Sequence, residues 1–241
     1  MTITRETIVY DGPGGPFEGM AVYDAVIEGP RPGVLLLPNV LGLKEADFAR
    51  AEQIAALGYV VFAADLYGQG KRTVLGAPDS ARYMNELNAD RALLRDRMRV
   101  SLDRMKALEN VDAVRTAAVG FCFGGKCVLD MARAGLGVLG VVSFHGVYDR
   151  PDYANVTPIR AKALVCHGWD DPIAPPEAVV ALAAELTEGG ADWQLHAYGH
   201  AGHAFTDVDR KNTPNPAVAY EPKADVRSFR AMADFLGELF A

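Results

Sequence analysis

Thr116-Ala117-Ala118-Val119-Gly120-Phe121-Cys122-Phe123-Gly124-Gly125-Lys126-Cys127-Val128-Leu129-Asp130-Met131-Ala132 decides how the rest of the chain is read. It opens as an apolar strand, turns through Gly-x-Cys-x-Gly-Gly, and leaves as a helix with apolar residues at Val128, Leu129 and Ala132. A strand that doubles straight into a helix has no room for side chains beside the turn residue, which accounts for glycine at 120 and 124. Such a corner is a nucleophile elbow, and here it carries Cys122 where a serine is more familiar. The helix aims its unpaired N–H groups back at the corner, which favours thiolate over thiol and draws the cysteine pKa below its free value of about 8.5. The competing possibility is an inert, buried cysteine in a tight turn; the flanking glycines argue for the elbow.

Working outward, apolar runs alternate with amphipathic segments. Gly33–Leu37 is a buried strand, residues from Glu45 to Leu57 form a helix stopped by Gly58, and Tyr59–Ala63 is the next buried strand. Strand, helix, strand at this spacing is a βαβ unit and implies a mostly parallel sheet. Residues 3–10 and 18–26 precede it as an antiparallel pair joined by the turn-rich segment Asp11–Pro16. A polar loop runs from Asp65 to about Pro78, and Asp79 or Ser80 caps a helical region reaching Glu109. That region interleaves Arg82, Arg91, Arg95, Arg97, Arg99 and Arg104 with Asp90, Asp96 and Asp103, the pattern of a solvated face rather than an anion-binding patch. Beyond the elbow come a helix to Arg133, strands at Leu139–Phe144 and Lys162–Cys166, a helix over Pro175–Glu188, a last strand at Trp193–Tyr198 and a closing helix over Val226–Phe240. The expected architecture is one α/β domain, residues 1–241, with a mostly parallel sheet, an antiparallel start and helices on both faces.

Composition narrows the function classes. Half of the 241 residues are hydrophobic and 23% are charged, enough apolar material for a sheet covered on both sides. The formal net charge is −7, with 24 Lys and Arg against 31 Asp and Glu, which argues against a nucleic-acid surface. Three cysteines, Cys122, Cys127 and Cys166, give neither a disulfide framework nor a metal-ligand spacing, so no metal or cofactor is expected. The first ten residues alternate like a strand and contain no apolar core of signal-peptide length. The longest apolar run, Val138 to Phe144, is too short to cross a bilayer. A cytoplasmic protein acting on a small molecule is expected, with no membrane contact, no nucleic acid and no required oligomeric partner.

In an open parallel sheet the reactive side chains gather at the carboxyl ends of the strands. Three such loops carry chemistry. The elbow supplies Cys122, the loop after Cys166 supplies Asp170 and Asp171, and the loop after Tyr198 supplies His200 and His203. Small neighbours in His200-Ala-Gly-His203-Ala let the ring of His203 approach a thiol, so His203 is the preferred base and His200 the runner-up. Asp171, before Pro172, is preferred to Asp170 as the acid that holds the histidine tautomer; its other plausible role is to cap the helix starting near Pro175. His145 and His167 also follow strands, each directly before a glycine, and read as rim histidines bonded to backbone. The order nucleophile, acid, histidine is that of the α/β-hydrolases.

At this level the chain resembles the dienelactone hydrolase family of α/β-hydrolases. The resemblance runs through Pro38-Asn-Val-Leu-Gly42, Ala64-Asp-Leu-Tyr67, Gly120-Phe-Cys-Phe-Gly-Gly125, Gly168-Trp-Asp-Asp-Pro172, Gly202-His-Ala-Phe205 and Ala219-Tyr220, nearly the whole chain. It implies a Cys122–His203–Asp171 triad, hydrolysis of an ester or lactone through a thioester, and an oxyanion hole built from the N–H groups of Phe123 and Val40. It leaves Asn39, Arg82 and Tyr67 as auxiliary candidates. Family members usually have a glutamate where this chain has Asn39, and an arginine four residues past the catalytic histidine, where this chain has Asp207. An anionic substrate would meet repulsion there.

Two rivals differ in class. The class I glutamine amidotransferases also use a cysteine elbow, but they need a His-x-Glu that His203-Ala204-Phe205 lacks. A non-catalytic small-molecule receptor or thiol redox sensor would use an exposed, acidic Cys122 without requiring a matched His203 and Asp171.

Overall fold

The computed structural model describes residues 1–241, and the chain divides into two compact units, Met1–Ala118 and Val119–Ala241. In the first, β1 (Ile3–Tyr10) and β2 (Phe17–Asp24) form an antiparallel hairpin paired from Ile3 with Asp24 to Tyr10 with Phe17. They are followed by β3 (Arg31–Leu37), α1 (Glu45–Ala55) and β4 (Val60–Ala63). β4 runs antiparallel to β2 and parallel to β3, the βαβ unit that the sequence spacing implies. Then come α2 (Arg82–Ala89) and α3 (Arg91–Lys106), and β5 (Val111–Phe121) carries the chain into the second unit.

The second unit continues with α4 (Phe123–Ala134), β6 (Gly140–Phe144), β7 (Lys162–Gly168), α5 (Pro176–Glu188), β8 (Trp193–Tyr198) and α6 (Pro222–Leu239). β7 pairs in parallel with both β6 and β8. All eight strands belong to one sheet in the order β1-β2-β4-β3-β5-β6-β7-β8: mostly parallel, with an antiparallel start. Eight strands and six α-helices thus build the mostly parallel α/β architecture expected from the sequence.

Apolar strands explain the first unit's core. Val34 to Leu37 and Val60 to Ala63 are fully buried, against Ala51 and Ile54 of α1 and Leu94, Met98, Leu102 and Met105 of α3. In the second unit α4 packs on β6 and β7, and residues from Phe123 to Arg133 are buried along its length. A helix buried all round must pair its charged residues internally, and Arg133 does so with Asp130 at 3.1 Å and Glu185 at 2.9 Å.

Two expectations need correction. The helical region before Glu109 is not continuous: the backbone breaks at Asp90 (φ −135°, ψ 81°), whose side chain accepts from the Leu93 N–H and starts α3 afresh. Nor is its arginine face wholly solvated. Arg91 and Arg97 are buried, and Arg97 donates to the carbonyls of Pro13 (2.9 Å) and Leu66 (2.7 Å) while lying over the Phe17 ring. Its charged fork is satisfied by loop carbonyls, which a pattern of charges along one helix cannot disclose. No helix is long and apolar enough to cross a membrane.

Candidate active site

The elbow forms where β5 meets α4. Cys122 has φ 54° and ψ −110°, outside the regions a non-glycine residue ordinarily occupies. A Cβ on Gly120 would run into the Gly124 carbonyl, and one on Gly125 would lie 2.8 Å from the Phe144 carbonyl. The turn therefore closes only on glycine at these points. The Cys122 N–H donates to Phe144 O (3.0 Å) and lies 3.1 Å from Nδ1 of His145, while Cys122 O accepts from the Lys126 N–H. Cys122 is partly accessible, whereas Cys127 and Cys166 are buried, and burial pushes the Cys166 thiol up to about 12.

Asp171 sits in a tight turn after β7, its N–H on Gly168 O at 3.1 Å. Its Oδ1 accepts from the N–H of Ile173 (2.8 Å) and Ala174 (3.4 Å), leaving Oδ2 2.7 Å from Nδ1 of His203. The other role offered from sequence, capping the helix near Pro175, is not made: α5 starts after Pro175 without a side-chain cap, and Asp171 Oδ1 closes the preceding turn instead. His203 follows β8 in a loop held by the 2.7 Å bond from its own N–H to Ala217 O, and a side chain at Gly202 would collide with that same carbonyl. Its Nε2 lies 3.0 Å from Sγ of Cys122. Burial disfavours the charged ring, but the Cys122 thiolate and the Asp171 carboxylate outweigh it and push the His203 pKa up to about 10. Asp171, His203 and Cys122 thus form one continuous chain of short polar contacts. The runners-up lie outside it: His200 and Asp170 are exposed and 3.8 Å apart.

The model of the dienelactone hydrolase family matches residues 18–240. The chain belongs to the dienelactone hydrolase family. Among solved structures, a dienelactone hydrolase-like promiscuous phosphotriesterase from metagenomic libraries is 32% identical and covers both chains completely, with a TM-score of 0.91. One described as m3DLH is 36% identical over the whole of both chains, with a TM-score of 0.92. A probable 2-oxo-3-(5-oxofuran-2-ylidene)propanoate lactonase from a Bradyrhizobium species is 25% identical over 216 residues, 84% of this chain and 86% of the relative. A dienelactone hydrolase family member is an ester or lactone hydrolase, so turnover is favoured over the receptor or redox-sensor alternative.

The remaining candidates serve local structure in ways that bear on the family's site. Asn39 closes the turn after β3: its Oδ1 accepts from the Leu41 N–H at 3.0 Å and its carbonyl from the Gly42 N–H. Tyr67 is buried and donates its hydroxyl to Val40 O at 3.0 Å, fixing the peptide that follows Val40. Arg82 is exposed, 3.3 Å from Glu86 and stacked over Tyr83. His167 does not bond backbone as expected for a rim histidine; its Nδ1 meets the Tyr148 hydroxyl at 3.0 Å, and burial holds its pKa down.

Sequence reasoning read His145 only as a rim histidine bonded to backbone and did not single out Thr206. His145 ends β6, is buried, and holds Nε2 2.7 Å from Thr206 Oγ1. Its ring stands edge-on to His203, centroids 5.3 Å apart. The only sequence signal was a histidine at a strand's carboxyl end.

Proposed function

We propose that residues 1–241 act as a single hydrolase domain that cleaves small, uncharged esters or lactones through a thioester on Cys122. The observation that carries this is the Asp171–His203–Cys122 chain, with contacts of 2.7 and 3.0 Å. The Cys122 thiolate attacks the acyl carbon, and the carbonyl π electrons pass to oxygen. Phe123 begins α4, so its N–H is directed at the corner where that oxyanion forms. As the intermediate collapses, the acyl carbon–oxygen bond breaks and His203 Nε2 passes its proton to the departing alkoxide. The same nitrogen then takes a proton from water, whose oxygen attacks the thioester and releases the carboxylic acid and Cys122. Asp171 keeps the proton on His203 Nδ1 and stabilises the imidazolium without itself being protonated.

An uncharged substrate fits the local charges. Asp207 stands four residues past His203, in the place where an arginine would hold a substrate carboxylate. Its Oδ1 accepts from the Asp209 N–H, so two carboxylates flank this turn. The test is a panel of lactones and esters in which each neutral compound is paired with its carboxylate-bearing analogue. Neutral members should be turned over with kcat/KM at least about tenfold higher, consistent with like-charge repulsion of about 1.4 kcal/mol. Preference for the anionic partner would reject the substrate assignment. Turnover that survives Cys122→Ala would reject the mechanism. Similarity to a promiscuous phosphotriesterase at 32% identity makes a phosphotriester a useful further member of the panel.

A further inference from the structure

The thiol of Cys122 faces His203, but its backbone is held by a residue outside the triad. The Cys122 N–H is shared between Phe144 O at 3.0 Å and His145 Nδ1 at 3.1 Å, and because it can only donate, Nδ1 presents its lone pair. The ring proton then belongs on Nε2, where Thr206 Oγ1 accepts it at 2.7 Å. We infer that His145 is a positioning residue: a neutral imidazole that clamps the Cys122 backbone to the His203 loop and so sets the gap between thiol and base.

Three observations converge on this role. First, Thr206 lies three residues beyond His203 in the same loop, so the imidazole of His145 bridges the two peptide segments whose side chains meet at 3.0 Å. A change in the span of His145 is therefore a change in the thiol–imidazole distance. Second, the clamp and the residue it grips both have positive φ, His145 at 37° and Cys122 at 54°, conformations that persist only where surrounding bonds over-determine them. His145 supplies several of these bonds: its own N–H donates to Cys166 O at 2.8 Å, Nδ1 receives the Cys122 N–H, and Nε2 reaches Thr206. Third, the role needs the ring uncharged. A proton on Nδ1 would set donor against donor at Cys122, and the imidazolium would face that of His203 at 5.3 Å. Cys122 and His203 are the titratable groups placed against this ring, and Phe121 and Phe205 pack against it as apolar neighbours, Phe205 edge-on at 5.0 Å.

The inference deepens the thioester mechanism and rests on it for its catalytic meaning, but its test does not require an ester. Iodoacetamide modification of Cys122, followed by intact-protein mass across about pH 5 to 9, reports thiolate availability directly. The variants are His145→Asn, whose amide oxygen offers an acceptor near the Nδ1 position and whose backbone tolerates positive φ; His145→Ala, which removes the ring; and Thr206→Val, which removes only the Nε2 anchor. His145→Ala and Thr206→Val should each slow alkylation at neutral pH by about tenfold and shift its pH profile upward by about one unit. They should lower kcat by at least about tenfold while KM stays within about threefold, as expected when substrate binding is untouched. His145→Asn keeps the acceptor for the Cys122 N–H but cannot reach Thr206, so it should match Thr206→Val in both readouts. If His145→Ala fails to fold by circular dichroism, Thr206→Val decides. Unchanged alkylation profiles in the folded variants, or a Thr206→Val variant that alkylates like wild type while His145→Ala does not, overturn the clamp. Wild type that alkylates rapidly yet cleaves no ester sinks the hydrolase mechanism and leaves the clamp standing.

Discussion

Nε2 of His203 lies 3.0 Å from Sγ of Cys122, close enough for the charge of each to act on the other. A His203 pKa pushed up to about 10 means that the imidazolium is favoured by the fold, against burial, through the thiolate and Asp171. The sign follows directly: this contribution to stability is fully present below the ordinary histidine pKa of about 6.5 and is lost as pH rises through about 10. The stability of wild type relative to Cys122→Ala, measured by urea unfolding, should therefore fall between neutral pH and pH about 10; a constant difference would mean that the pair is not coupled. By reciprocity the imidazolium favours the thiolate, so His203→Ala should slow alkylation of Cys122 near pH 6 by at least about tenfold. Turnover should show the same coupling: Cys122→Ala and His203→Ala each abolish it, and the double variant is no worse than either. Additive losses would separate the two residues. Cys122, Asp171 and His203 could be picked out of the sequence because each follows an apolar strand and one lies between glycines. His145 could not. It reads as a histidine bonded to backbone, and it is, but the peptide concerned belongs to the nucleophile 23 residues away.

At the scale of elements, geometry rather than apolarity decides the elbow. Gly120→Ala would drive a methyl group into the Gly124 carbonyl, so the corner must open. A loss of about 1–3 kcal/mol on chemical unfolding is expected, with activity falling further than stability alone explains; an unchanged enzyme would show that the corner can relax. Strands and helices were legible to within a few residues wherever apolar periodicity was strong, as in β3, β4, β7 and β8. The exceptions have local causes. β5 begins at Val111 rather than near Thr116, because Asp112 to Arg115 are exposed or half-buried and do not alternate polar with apolar residues. α6 begins at Pro222, earlier than Val226, because Glu221 caps it and proline suits its first position. The break before α3 rests on one cap, and Asp90→Ala should cost about 0.5–2 kcal/mol by thermal or urea unfolding. A smaller loss would place the break in the backbone rather than in the carboxylate.

On the scale of the whole molecule, the second unit carries a dry ionic knot that no sequence pattern announced. Arg133 is almost completely buried, its guanidinium bonded to Glu185 at 2.9 Å, to Asp130 at 3.1 Å and to the carbonyls of Tyr148 and Asp149. Arg150 and Asn155 reach the same Glu185 carboxylate, so one cluster fixes much of the segment between β6 and β7. Burial raises the Glu185 pKa, but the Arg133 bonds prevail and hold it below the ordinary value. Its contribution is therefore present above about pH 4.3 and is lost as pH falls through the lowered pKa. Arg133→Met should cost about 3–5 kcal/mol at neutral pH, because Glu185 and Asp130 are left buried without their partner; recovery in Arg133→Met/Glu185→Leu/Asp130→Asn would identify the orphaned charges as the cause. Heat acts on such a knot in the opposite sense to cold. Hydration of ions becomes less favourable as temperature rises, so the penalty for drying Arg133 and its carboxylates shrinks while apolar burial gains little more. Warmth should therefore tighten, relative to the rest of the molecule, the segment that leads from the histidine clamp toward Asp171. Calorimetry of wild type against the triple uncharged variant would read this as a gap that moves in favour of wild type on heating.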